Sequence, residues 1–274
     1  MTPRTAPPRN TPAGSGLASV KDVVAAEWLK LRTMRSTWAV WSGAAASTLI
    51  GLVILVIHVG SYDRAPLEER AAFESADPAV LVMPVVAFFI GCLGALAITT
   101  EFSTGSIASS LVAVPQRRML LAAKAVVVTC VAFACGVLFA GLSQVAAMLI
   151  LGDRPAPLNP WVHWWDAVPS AAGTAVTTLA TGLVALGFGA VLRSAAATVA
   201  VIGALTLVVP MFAHVLPEPV HLWVASVLIP NLAPQIAGAE SAYLLSPTAA
   251  TAVLAFYVVV ALGAASLGFS HRDS

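Results

Sequence analysis

The sequence predicts an all-α protein whose helices cross a membrane six times. Of its 274 residues, 59% are hydrophobic and only 10% charged, and the mean hydropathy is +0.89. A soluble chain needs more polar surface than this to cover itself. Six apolar runs are each long enough to cross about 30 Å of hydrocarbon, which takes about 20 helical residues. Nearly all the charge lies outside these runs.

Residues 1–19 are rich in Pro, Thr and Arg, have no apolar stretch of the secretory kind, and read as a disordered tail that stays inside the cell. The text VKDVVAAEWLKLRTMRS that follows places Val20, Val23, Val24, Trp28, Leu31 and Met34 on one helical face, with Lys30 and Arg35 flanking it. Glu27 interrupts that stripe. Residues 20–37 are therefore expected to form an interfacial elbow helix lying on the membrane surface. A plain helical extension of the first span with a basic flank is the alternative.

The spans are expected at 38–60, 80–100, 122–151, 169–192, 195–216 and 248–269, forming one membrane domain over 38–269 with a short tail at 270–274. The third run is longer than a bilayer requires, so its helix is expected to start near Pro115, which suits a first helical position. Pro210 is expected to kink the fifth. Gly43, Ser47 and Gly51 in the first span, and Gly182, Gly187 and Gly189 in the fourth, read as points of close helix packing.

Basic residues give the orientation. With the N-terminus inside, 11 of the 14 Lys and Arg residues fall on the inner side, and the outer loops keep only Arg64, Arg70 and Arg154. Both termini are thus expected in the cytoplasm, and residues 99–124 make up the one sizeable inner loop between spans. Among the outer segments, 61–79 reads as a solvated connector. Trp161, Trp164 and Trp165 in 152–168 suit an aromatic belt. Residues 217–247 hold apolar pieces too short to span, broken by Pro230 and Pro234, that lie in the interface or re-enter partway.

Several chemistries find no support. Cys92, Cys130 and Cys135 all fall within apolar runs and read as packing residues rather than a disulfide framework or zinc cluster. None of Lys21, Lys30 and Lys124 follows a glycine, so no phosphate-cradling G-x-x-x-x-G-K-[ST] loop is present. No span carries an Asp, Glu, Lys or Arg well inside the hydrocarbon, where ion-coupled transporters place one. His58 and His214 are the nearest candidates and read as interfacial. The histidines show no i, i+4 metal pair, and Glu68, Glu69 and Arg70 have the wrong spacing for a paired-glutamate protease. A membrane protein with neither energy source nor catalytic constellation needs a partner.

The segment TTEFSTGSIASSLVAVPQRRMLLAAK at 99–124 is the natural docking surface. Glu101 stands at the membrane edge, where it can accept hydrogen bonds from helix N-termini or pair with a basic residue of a partner. Gly105 permits a sharp turn, and Ser103 or Thr104 can cap a short helix running to Val114. Ile107, Leu111 and Val114 then share one face, available for burial in a partner's groove.

The strings EWLKLRTMRSTW at 27–38, ITTEFSTGSI at 98–107 and AVPQRRMLLAAKA at 113–125, with a terminal LGFSHRDS, closely resemble permease subunits of bacterial type-2 ABC exporters, particularly the actinobacterial kind. The resemblance covers nearly the whole chain after Ser19. The tail departs from the pattern: Ser270, His271 and Arg272 stand where such permeases often carry a run of arginines, which weakens that inner anchor.

The resemblance implies a transport subunit without catalysis of its own. It would bind no cofactor itself, ATP and magnesium belonging to a separate cytoplasmic ATPase, and would pair as a homodimer or heterodimer among membrane lipid, with no role for nucleic acid. In that family a short coupling helix after the second span docks on the ATPase, flanked by the elbow. Glu101, Phe102, Thr104, Gly105 and Ile107 match the loop motif, with Leu111 on the same helix, and Glu27, Lys30 and Arg32 match the elbow. Scarce intramembrane charge favours export of a lipophilic or amphipathic cargo from a bacterial cell. A secondary transporter or channel with its own gradient coupling, or a membrane sensor or scaffold, are the alternatives.

Overall fold

The computed structural model describes residues 19–113, 116–213, 215–238 and 243–271. The remainder of the two tails, Val114, Pro115 and His214 lie outside the described residues.

The first helix, α1 (Val20–Thr33), opens on a reciprocal cap in which the Asp22 amide donates to Ser19 Oγ at 3.3 Å and the Ser19 amide donates to Asp22 Oδ2 at 3.2 Å. It ends at Met34, whose extended backbone (φ −70°, ψ 129°) breaks the helix before α2 (Arg35–Arg64) begins. α1 is thus a separate element, not a continuation of the first span.

Among the described residues, six helical stretches are long and apolar enough to cross a membrane: Arg35–Arg64, Met83–Thr104, Arg117–Leu151, Trp164–Leu192, Ala195–Ala213 and Pro247–Gly268. They match the six expected runs, each boundary shifting by a few residues because polar ends can join a helix that apolar content alone does not mark. The second is preceded by a single turn, α3 (Pro78–Leu81), capped by Asp77, and is itself α4 (Met83–Thr104). A short helix, α5 (Ser106–Ala113), leads to α6 (Arg117–Leu151), which starts after Gln116 rather than at Pro115.

The fourth span, α7 (Val168–Leu192), is the centre of the bundle and packs on both α4 and α6. A Cβ at Gly94 of α4 would collide with the Gly182 carbonyl of α7, and one at Gly187 would lie 2.6 Å from the Ala261 backbone. Small residues let these backbones touch, as the glycine spacing predicted. Of the four buried threonines of α7, only Thr178 leaves its hydroxyl without a hydrogen-bond partner among the described residues. Thr174, Thr177 and Thr181 donate to carbonyls of their own helix, satisfying the hydroxyls locally.

The fifth span is interrupted. α8 (Ala195–Gly203) passes into a π-helical turn over Ala204–Val208 and then α9 (Val209–Ala213). Pro210 lacks an amide donor, and the wider turn just before it accommodates the missing bond.

The segment after it forms two short helices, α10 (Val220–Val227) and α11 (Ile229–Ile236), before α12 (Pro247–His271). α11 packs against α7 and α12. Gln235 holds the return: its amide donates to the Ser226 carbonyl at 2.9 Å, and its oxygen accepts the Leu245 amide at 2.9 Å.

At the end of the bundle remote from α5, the segment expected as a solvated connector is partly packed. Tyr62 and Ala76 are buried with Leu151 and Leu158, and the Ala76 amide donates to the Leu158 carbonyl at 3.0 Å. Arg154 grips Asp63 through two hydrogen bonds of 2.9 and 2.8 Å. Trp164 and Trp165 are exposed, in keeping with a belt, whereas Trp161 packs against this cluster.

Candidate functional site

The buried face of α1 keeps Val23 and Leu31 of the apolar stripe but is centred on Glu27. Val23, Glu27 and Leu31 are buried, one turn apart, while Val20 and Trp28 are exposed. The helix rotates toward its glutamate because that carboxylate has partners deep in the bundle. Glu27 Oε2 accepts from Lys124 Nζ at 2.6 Å, and Glu27 Oε1 accepts from Lys30 Nζ at 2.7 Å.

Glu101, in the last turn of α4, completes the arrangement. Its Oε1 accepts from both Lys124 and Lys30, each at 2.8 Å. Two carboxylates and two ammonium groups from α1, α4 and α6 thus alternate within contact distance, with formal charges that sum to zero. Lys124 is 2% exposed, Glu27 5% and Glu101 6%. Charges so desolvated are tolerated only when paired and hydrogen-bonded.

Donor bookkeeping explains the geometry. An ammonium group has three N–H donors. Those of Lys124 go to Glu27, Glu101 and the Ala97 carbonyl at 3.0 Å. Those of Lys30 go to Glu27, Glu101 and Ser110 Oγ at 3.1 Å, so the cluster reaches onto α5. Burial alone would pull the Lys30 ammonium down, but its hydrogen bonds to Glu101 and Glu27 outweigh this and hold its pKa above the ordinary value.

The cluster borders an open cleft of about 410 Å³ whose wall combines the hydroxyls of Thr100, Thr104, Ser106 and Ser110 with apolar side chains such as Leu31 and Val127. The turn between α4 and α5 forms its rim. Gly105 adopts the left-handed conformation (φ 71°) that ends α4, and its amide donates to the Phe102 carbonyl at 3.3 Å. Thr104 Oγ1 donates to the Thr100 carbonyl at 2.7 Å and lies 2.9 Å from Ser106 Oγ. Phe102 is half-buried beneath the Arg193 guanidinium, 5.2 Å from the ring centre, which ties the end of α4 to the end of α7.

The residues singled out from the sequence therefore divide into two groups. Glu27, Lys30 and Glu101 converge on one another, and the Glu101 carboxylate is engaged inside its own chain instead of facing a partner. Ile107 is half-buried and packs with Val23, Leu120 and Ala123, so part of its side chain is engaged within its own chain. Thr104 and Gly105 are exposed, as is Val112 at 83%. Arg32 lies apart, on the outer wall of α1. Leu111 belongs to α5, but its side chain lies outside the described residues.

Lys124 is the member of this cluster that the sequence pattern does not single out. It was counted among the basic residues of the inner flank, yet it stands about two turns into α6 between Leu121 and Val128, both buried. Two signals pointed to it together: a lysine on an otherwise apolar face, and a glutamate interrupting the apolar stripe of α1.

These elements can act as one block. α5 cannot shift without disturbing Lys30 and Ser110, and the cluster ties that shift to α1, α4 and α6. Among the described residues no group of His, Cys, Asp and Glu could hold a metal ion. Comparison with curated proteins gives no match. The family model described as ABC-2 family transporter protein matches residues 23–162, from α1 through α6 and into the loop beyond it. The matched half contains the whole ion cluster and the α4–α5 turn, and with six apolar helices around them the chain belongs to the ABC-2 family of transporters, as a membrane permease subunit.

Proposed function

We propose that the chain is the permease of an ABC exporter that draws its energy from a separate ATPase docked at the α4–α5 turn. The observation that carries this reading is the neutral cluster of Glu27, Lys30, Glu101 and Lys124, which makes the turn, α1 and the ends of two spans a single mechanical unit. The exposed rim at Thr104, Gly105, Ser106 and Val112 is the contact surface, and Glu101 acts behind it as a positioning residue. Closure of an ATPase pair would push on α5, and the cluster would pass that push to α4 and α6 as rigid-body tilting.

This reading puts α1, α5 and both termini in the cytoplasm of a bacterial cell, in line with the basic bias of those segments. Two permease chains, identical or sister, would form the pathway. An apolar or amphipathic cargo fits spans with few interior charges, in which Thr174, Thr177 and Thr181 turn their hydroxyls onto their own helix. ATP and magnesium remain with the ATPase.

The test is coupled turnover of the co-purified permease and ATPase in liposomes. Glu101→Ala or Gly105→Pro should abolish cargo-stimulated ATP hydrolysis, while changes at the exposed Leu67 of the 61–79 segment should not. Full coupling in both loop variants would refute the assignment.

A further inference from the structure

The corner between α1 and α2 holds a second cavity, of about 300 Å³, unrelated to the ion cluster. Trp28 and Arg32 line it from α1, Trp38 and Trp41 from α2, and Val131 from α6 closes its floor. Trp28 and Arg32 are one helical turn apart, and Trp38 and Trp41 share a face of the next helix, so the break at Met34 brings three tryptophans and one arginine to the wall of one cavity. All three indoles are exposed, at 47%, 69% and 37% for Trp28, Trp38 and Trp41.

The charge inventory of this corner is unbalanced. Arg32 makes no hydrogen bond or ion pair among the described residues, no acidic residue lines the cavity, and the one neighbouring hydroxyl, Thr37, is already given to the Leu31 carbonyl at 2.7 Å. An unpaired guanidinium offers planar, two-pronged donors that match a phosphate oxygen pair. The indoles beside it are amphipathic surfaces of the kind that meet lipid at headgroup depth. The corner lies where the first span begins, so one occupant satisfies both halves: phosphate on Arg32, glycerol and acyl chains along Trp38, Trp41 and Val131.

We propose that this corner is a binding site for an anionic glycerophospholipid of the leaflet in which α1 lies. With a net charge of +1 and no acidic wall to hold a choline or ethanolamine, the cavity favours an anionic headgroup over a zwitterionic one. The site depends only on the chain's being in a membrane, and not on the ATPase reading.

The full-length protein, stripped of lipid by detergent exchange, is titrated with phosphatidylglycerol, phosphatidylcholine or soluble glycerol 3-phosphate, and the molecules retained per chain are counted by native mass spectrometry. One phosphatidylglycerol should bind more tightly than phosphatidylcholine by about fivefold to tenfold. Arg32→Gln should remove that preference, Trp38→Ala should weaken retention of both lipids, and Arg35→Gln, a neighbouring cation outside the cavity, should leave the preference intact. Equal loss in Arg32→Gln and Arg35→Gln would reduce the effect to general surface charge and overturn the site. Equal binding of the two lipids, or displacement by glycerol 3-phosphate, would overturn it as well.

Discussion

Lys124 and Glu27 stand 97 positions apart in the chain and meet at 2.6 Å with both side chains buried. Through this bond the long third span holds the amphipathic first helix, and Glu101 extends the hold to the second span. Removing one member of a buried pair leaves an uncompensated charge, which costs more than the pair contributes net. Lys124→Met should therefore destabilise the folded protein by about 3 kcal/mol or more, read as a fall in the unfolding midpoint in detergent. Adding Glu27→Gln to Lys124→Met should cost less than the two single changes summed, because the second change removes the orphaned carboxylate.

The Lys30 contacts give a pH dependence of defined sign. Its folded pKa is raised above the ordinary 10.5. The stabilisation is thus fully present below that value and is lost as pH rises through the folded pKa. Unfolding midpoints should show an alkaline fall in this window that Lys30→Met removes, with no change from this group between about pH 7 and 9.

Gly105 is favoured for its backbone and not for lack of room, since a Cβ there would meet no atom within 4 Å. Gly105→Ala should cost about 1 kcal/mol from the left-handed conformation alone, and Gly105→Asn less. Paired unfolding curves of the two variants would separate strain from crowding.

The spans were legible because a bilayer demands long apolar runs, and composition alone marks those. The turn at Gly105 was legible too, since few residues tolerate its conformation. Which face of α1 is buried was not, because the apolar stripe and the buried stripe differ by the one glutamate whose partner lies 97 positions away. Counting Lys124 as a flanking charge followed local pattern, whereas its burial is set by the register of three helices. Ile107 likewise reads as free from its spacing, whereas its own chain covers part of it.

Helix contacts at α4 and α7 should be sharply sensitive to size. Gly94→Ala places a methyl against the Gly182 carbonyl and should cost about 2 kcal/mol. Gly141→Ala in α6, where a Cβ meets nothing within 4 Å, should be neutral or slightly stabilising in the same assay.

Docking of an ATPase at the α4–α5 turn is the central claim, and site-specific photocrosslinking in the assembled transporter tests it most directly. A crosslinker placed at Thr104 or Val112 should form a covalent adduct with the ATPase subunit, while one at Leu67, which is similarly exposed at 81% near the opposite end of the bundle, should not. Adducts from Leu67 with none from Thr104 or Val112 would contradict the account.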